Sequence, residues 1–230
     1  MGKHILITGA SRGMGHDGAL YLADQNHLVS AVARSRKPLS RLENQHENIA
    51  AYPTDLTDSG DLDRLVQNLE NDQPSIDAII NGAGALVNKP FTELTSSDWD
   101  LMLDTNLRAP VDLIQKTLHL MSDDGHIVNI SSMAGYQGSA KFPGLTAYSV
   151  AKGGLSILTE CLAGELADQD ISCNALCLGM VQTEMLEDAF PGIDAPVSSE
   201  QMGQYIGDFA LNGHTFYNGQ VLPVAREDPE

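Results

Sequence analysis

Basic side chains are scarce in this chain: 13 lysines and arginines face 31 aspartates and glutamates, leaving a formal charge of −18 over 230 residues. Such a surface repels polyanions and argues against nucleic acid or an anionic membrane as partner; a solubility or salt adaptation would produce the same excess. Long apolar runs are also missing, and none approaches the roughly eighteen residues that a membrane span needs. The opening MGKHILITGA carries one lysine and an apolar run that breaks at Thr8-Gly9, so it reads as a strand and not as a secretory leader. The expectation is a soluble, cytoplasmic protein. Cysteine is rare and odd in number; Cys161, Cys173 and Cys177 sit late in the chain among apolar neighbours, as reduced core thiols do and a disulfide framework does not. The seven histidines are scattered without ligand spacing, and no metal site is expected.

What the chain does have is 42% apolar residues, enough to fill one sizeable core, and two full domains would be cramped. Strand-like runs at 4–8, 28–33, 49–53, 76–80, 126–131, 171–177 and 219–224 alternate with helical stretches at 14–25, 58–71, 96–121, 147–168 and 198–211. Seven strands joined mainly by helices predict a single α/β domain over 1–230, a doubly wound parallel sheet with helices on both faces. The final EDPE reads as a frayed tail. In such sheets ligands bind beyond the carboxyl ends of the strands, and the notable motifs lie there.

The first strand runs into TGASRGMG. Gly9, Gly13 and Gly15 form a turn whose bare backbone suits a pyrophosphate at a helix N-terminus, with Ser11, Arg12 and Met14 between them. The second strand ends without the Asp or Glu that holds an NAD ribose. Arg34 and Arg36 follow it, so three of the seven arginines gather near one pocket. Guanidinium forks match phosphate, which points Arg12 and Arg34 at a 2'-phosphate; Arg36 equally begins a surface helix. Asp55 after the third strand is placed for an adenine amino group, and NGAG, with Asn81, Ala83 and Gly84, closes the same edge after the fourth; each is also ordinary turn chemistry.

On the helix at 97–121, Trp99, Met102, Leu103, Asn106, Leu113 and Ile114 share one stripe, so Asn106 faces inward and needs polar partners. Pro110, four residues on, has no N–H for the Asn106 carbonyl, which leaves that oxygen free for a water. HIVNISSMAG ends a strand in Ser131 and Ser132, a place where a hydroxyl reaches a ligand or merely forms a turn. TAYSVAKGG holds the only Tyr-x-x-x-Lys of the chain, and on a helix Tyr148 and Lys152 share a face. LGMVQTEM continues the sixth strand, and the Thr183 hydroxyl there is a candidate to bond the carboxamide of a nicotinamide.

In their order, TGxxxGxG, DL, N-x-A-G, the inward Asn, Ser-x-x-Gly, YxxxK and the late G-x-x-x-T resemble the short-chain dehydrogenase/reductase family, core 250-residue branch. The resemblance implies a catalytic tetrad of Asn106, Ser132, Tyr148 and Lys152, with Ser132 taken over Ser131 because SMAG matches Ser-x-x-Gly. It implies cofactor contacts from Gly9, Ser11, Arg12, Gly13, Met14, Gly15, Arg34, Asp55, Asn81, Ala83, Gly84, Tyr148, Lys152 and Thr183. The implied activity is reduction of a ketone or aldehyde by NADP(H), NAD(H) being less favoured. Tyr148 is the proton donor, and Lys152 lowers its pKa and draws protons through a water on the Asn106 carbonyl. An NAD-dependent alcohol dehydrogenase and a dinucleotide-binding regulator without turnover are the alternatives; the second should have lost tetrad positions, and all four are present. Gly82, Leu178 and the C-terminal FALNGHTFYNGQVLPVARED depart from the family pattern. A substrate lid is expected at 184–198. A homo-oligomer, dimer or tetramer, is expected through the helices at 97–121 and 147–168, with Leu155, Leu158 and Leu162 as material for core and interface.

Overall fold

The computed structural model describes residues 2–72 and 75–226; the expected C-terminal tail lies outside them. Seven parallel strands form one sheet in the order β3-β2-β1-β4-β5-β6-β7. They are β1 (His4–Thr8), β2 (Leu28–Ala33), β3 (Ile49–Pro53), β4 (Ile76–Asn81), β5 (Met121–Ser132), β6 (Ser172–Leu178) and β7 (Val221–Val224). Between them run α1 (Gly13–Asp24), α2 (Arg36–Glu43), α3 (Ser59–Asp72), α4 (Ser96–Leu103), α5 (Ala109–Thr117), α6 (Thr146–Glu165), α7 (Glu184–Ala189) and α8 (Ser199–Asn212). This is the expected doubly wound, Rossmann-type architecture.

The apolar runs are continuous because both faces of a parallel sheet are covered. Along β1, Ile5 and Ile7 point to one layer, with Leu22 of α1, Leu39 and Leu42 of α2, and Met202 and Ile206 of α8. Leu6 points to the other, with Leu62, Leu65 and Leu69 of α3 and Leu113 of α5. The strand order reverses between β1 and β4, and the crevice opens at that switch point.

Three elements differ from the sequence expectation. The helix expected over 97–121 is broken: residues Asp104–Arg108 are wound as a π-turn between α4 and α5, with the Ala109 N–H reaching back five residues to the Asp104 carbonyl. Pro110 follows at once, and its missing N–H denies Asn106 the usual partner; the wider turn falls where the regular ladder fails. The second difference is β5, which begins at Met121, five residues early. After Met121 its first residues, SDDG, hold no large apolar side chain, and the pairing there carries a shift of register between Ile76 and Ala78 of β4, so they give no apolar signal. The third is α2, absent from the expected helices, which begins at Arg36, the residue the sequence left open between helix start and phosphate ligand, and buries only Leu39 and Leu42.

Candidate active site

The first turn is made for close approach. Gly9 has φ 77°, and a Cβ there would stand 2.7 Å from the Gly82 carbonyl oxygen, so no side chain fits. The N–H groups of Gly9 and Ala10 both bond the Val32 carbonyl, which fixes the turn to β2. The chain then enters α1 at Gly13 with no side-chain cap at Arg12 and no acid in the first turn. The helix therefore presents free N–H groups and its positive end to an anion, although a Cβ on Gly13 would stand 3.6 Å from the Glu184 carboxylate.

That end borders a cavity of about 460 Å³, lined by Gly9, Ser11, Arg12, Gly13, Met14, Gly15, Arg34, Asp55, Ala83, Gly84 and Thr183 of the expected contacts. Arg34 holds the Asp55 region under a positive influence: burial pushes the Asp55 carboxyl up, but bonds from Thr57 and the charge of Arg34 carry it below the ordinary value. One Asp55 oxygen, Oδ1, is already occupied by the Thr57 N–H and hydroxyl, at 3.0 and 2.7 Å. Asn81 lies elsewhere. Its side chain is buried in the sheet and donates to Asn129 Oδ1 at 2.8 Å, because position 81 still belongs to β4 and alternation turns it toward the packed face.

The edge of the pocket at β4 owes its shape to a residue that sequence reasoning passed over. Thr8 Oγ1 accepts from the N–H groups of Gly82 and Ala83, at 3.0 and 3.1 Å. Its place at the end of β1, one residue before the glycine turn, was the available signal. Gly82, a departure from the family pattern, fits this approach: a Cβ there would lie 2.9 Å from the Thr8 carbonyl oxygen. Leu178, another departure, is a buried strand residue paired with Val224 of β7.

Gly84 joins the cavity to two of the four residues expected as a tetrad, since a Cβ on it would stand 3.0 Å from Asn106 Oδ1 and 3.8 Å from Lys152 Nζ. Asn106 is fully buried. It clamps the loop at Ala85, accepting from the Ala85 N–H at 3.2 Å and donating to the Ala85 carbonyl at 3.0 Å. The inward polar side chain thus has its partners. Alternation at the end of β5 separates the two serines: Ser131 Oγ bonds the Lys152 carbonyl at 2.9 Å and is turned into α6, whereas Ser132 Oγ accepts from the Ala134 N–H at 3.2 Å and lies on the side of Tyr148, whose phenol it draws down. Lys152 is buried, donates to the Ile130 carbonyl at 2.7 Å, and its Nζ lies 6.0 Å from the Tyr148 ring centre.

The electrostatics differ from expectation at Tyr148. Burial pushes the phenol up from its ordinary value, and the nearby Ser132 hydroxyl opposes this only in part. Burial also pushes Lys152 down, to about 8. The low dielectric that favours a neutral phenol favours a neutral amine as well.

Beyond β6, Thr183 caps α7 by accepting from the Leu186 N–H. The segment returns past Val197, where the Gln182 N–H bonds the Val197 carbonyl at 2.8 Å and Gln182 Oε1 accepts from the Ala195 N–H at 2.8 Å. Among the described residues no group of three or more His, Cys, Asp or Glu side chains is arranged to hold a metal, and no helix is long and apolar enough to cross a membrane.

The short chain dehydrogenase family matches residues 3–194 of this sequence. The chain belongs to that family. Among its relatives, a 3-oxoacyl-[acyl-carrier-protein] reductase of Thermotoga maritima is 31% identical over 192 residues, 81% of this chain and 77% of its own. Nodulation protein G of a Rhizobium species is 30% identical over 236 residues, 97% of this chain and 95% of its own. A dehydrogenase/reductase of Sinorhizobium meliloti, known from its crystal structure, superposes with a TM-score of 0.84 at 25% identity, covering 97% of this chain and 94% of that one. The short-chain dehydrogenase reading of the fold, and of an oxidoreductase using a nicotinamide dinucleotide, rests on these together with the sheet topology.

Proposed function

We propose that the chain is a cytoplasmic, NADPH-preferring carbonyl reductase that converts a ketone or aldehyde to an alcohol, with Tyr148 as general acid. One observation carries this reading: Gly84, which lines the same cavity as Arg12 and Arg34, abuts Asn106 and Lys152, and the Lys152 ammonium lies 6.0 Å from the Tyr148 ring centre. The uncapped, acid-free N-terminus of α1 suits a pyrophosphate, and the two arginines suit a 2'-phosphate. The bound dinucleotide supplies the hydride. Tyr148, its phenol held protonated by burial, gives the proton to the substrate oxygen, while Ser132 hydrogen-bonds that oxygen as charge develops on it. Lys152, anchored on the Ile130 carbonyl, places a positive charge beside the phenol, and Asn106 fixes the loop that abuts it.

In this reading residues 1–230 act as one domain, with 184–198 as the substrate lid. The acidic lid residues Glu184, Glu187, Asp188 and Asp194 oppose docking of an acidic carrier protein. Of the neighbouring cations, Arg108 is engaged by Asp104 at 2.8 Å, and Lys141 donates to Ser139 Oγ at 2.8 Å. The favoured substrate is therefore a small neutral or lipophilic carbonyl compound and not a carrier-bound acyl chain, although a carrier-linked substrate is named for the Thermotoga relative. A panel of ketones and aldehydes assayed with NADPH and with NADH tests the reading. Turnover with NADPH on simple carbonyls supports it, and turnover confined to NADH contradicts it.

A further inference from the structure

Arg12 stands where two anions can claim it. It borders the cavity at the N-terminus of α1, and its Nη1 lies 3.8 Å from Asp188 Oδ2 on α7, with 54% of one side chain and 74% of the other exposed. The pair links the glycine turn to the lid. The rest of the lid is held independently: its root by the Gln182 bonds to Val197 and Ala195, and the end of α7 by the Asn88 amide, which donates to the Ala189 carbonyl at 3.1 Å. Loss of the Arg12–Asp188 contact leaves those attachments in place.

We propose that Asp188 is a specificity-determining residue for the dinucleotide. It holds Arg12 against the lid, so a 2'-phosphate must take the guanidinium from it, whereas a dinucleotide without that phosphate leaves the pair intact. This rests on the reading of Arg12 as a phosphate ligand. A bidentate Arg–phosphate bond is stronger than an exposed, long ion pair, so the phosphate wins the exchange and gives up part of its binding energy in doing so. The lid then loses one attachment when NADP(H) is bound and keeps it with NAD(H). Glu184 and Glu187 line the outer cleft together with Arg12; removing the charge of Asp188 therefore lowers the negative field there without abolishing it.

Dissociation constants for NADPH and NADH, read from cofactor fluorescence on wild type, Asp188→Asn, Arg12→Ala and the double variant, test this. Asp188→Asn keeps the shape of an exposed side chain, and equal melting temperatures will confirm that the fold is kept. The expected result is NADPH binding tighter by about two- to fivefold in Asp188→Asn, NADH binding unchanged, and no gain from Asp188→Asn once Arg12 is alanine. If Arg12→Ala weakens NADPH selectively while Asp188→Asn changes neither cofactor, or tightens both alike, the role of Asp188 is overturned and the phosphate reading stands. If Arg12→Ala is not selective, the phosphate reading of Arg12 itself falls, and the role of Asp188 with it.

Discussion

Burial moves Tyr148 and Lys152 in opposite senses on the pH scale and toward the same neutral state. The two consequences differ. A phenol held above its ordinary value stays protonated through the neutral range, which is the form a proton donor needs. Lys152, pushed down to about 8, is a cation below that pH and increasingly neutral above it. Its charge near Tyr148, the proposed proton donor, is thus present at neutral pH and lost as pH rises through about 8. The rate of carbonyl reduction is expected to fall over that range, measured at saturating NADPH; a rate that stays level to pH 10 would show that the charge of Lys152 does not matter. At the other rim, Arg34→Ala is expected to weaken NADPH by about 1.5 to 3 kcal/mol, the worth of a charge-assisted bond, and to leave NADH nearly unchanged. Equal wild-type affinities for the two cofactors would contradict this.

Among the elements, β5 carries an acid-sensitive fastening at the end of the sheet away from the site. His126 is fully buried; Nδ1 donates to the Ala210 carbonyl of α8 and Nε2 accepts from the Asn174 amide of β6, both at 3.0 Å. A second proton would have to sit on Nε2, against a donor. Burial accordingly holds His126 down to about 4, with His214 and Lys3 adding to the effect and Asp124 opposing it. The unfolded chain, with a histidine near 6.5, takes up protons first, so stability present above about pH 6.5 is lost as pH falls toward 4, by up to about 3 kcal/mol. Urea unfolding at pH 7 and 4.5 checks this: the loss should shrink in His126→Gln, and an equal loss in that variant would place the sensitivity elsewhere.

The same strand shows what a sequence can and cannot disclose about elements. Its apolar half, HIVNIS, was legible because both faces are packed, while MSDDG was not, because the pairing that makes it a strand is set by β4. The shared face of Tyr148 and Lys152 and the opposite turning of Ser131 and Ser132 were legible because spacing on a helix and alternation on a strand are local rules. Asn106 was placed inward correctly from its stripe, but its partner Ala85 is a tertiary contact that spacing cannot name. Asn81 was misread for the cavity because its strand runs one residue farther than its apolar run.

For the molecule as a whole, charge and exposed apolar surface set the expectations. The formal charge of −18 and the acidic lid make a carrier-bound acyl substrate poor relative to its simple ester at low salt. Catalytic efficiencies at two ionic strengths decide this, and a carrier preference that fades with added salt would reveal a basic patch and contradict it. Assembly through α6 is proposed with one revision to its residues. Leu155 is buried in the core, whereas Val150 and Ile157 are exposed at 51% and 57%, so these two supply the apolar contact. Light scattering at micromolar concentration should report a dimer or tetramer, and Ile157→Glu should weaken it; a wild-type monomer would contradict the proposal.

The measurement that bears most directly on the proposed chemistry is a single-turnover experiment on Tyr148→Phe, using a carbonyl substrate that the wild type reduces. Removal of the phenolic proton donor should abolish NADPH oxidation, a loss of at least about a hundredfold, while the dissociation constant for NADPH stays close to that of wild type. Substantial turnover by Tyr148→Phe would contradict the assignment of Tyr148 as the acid.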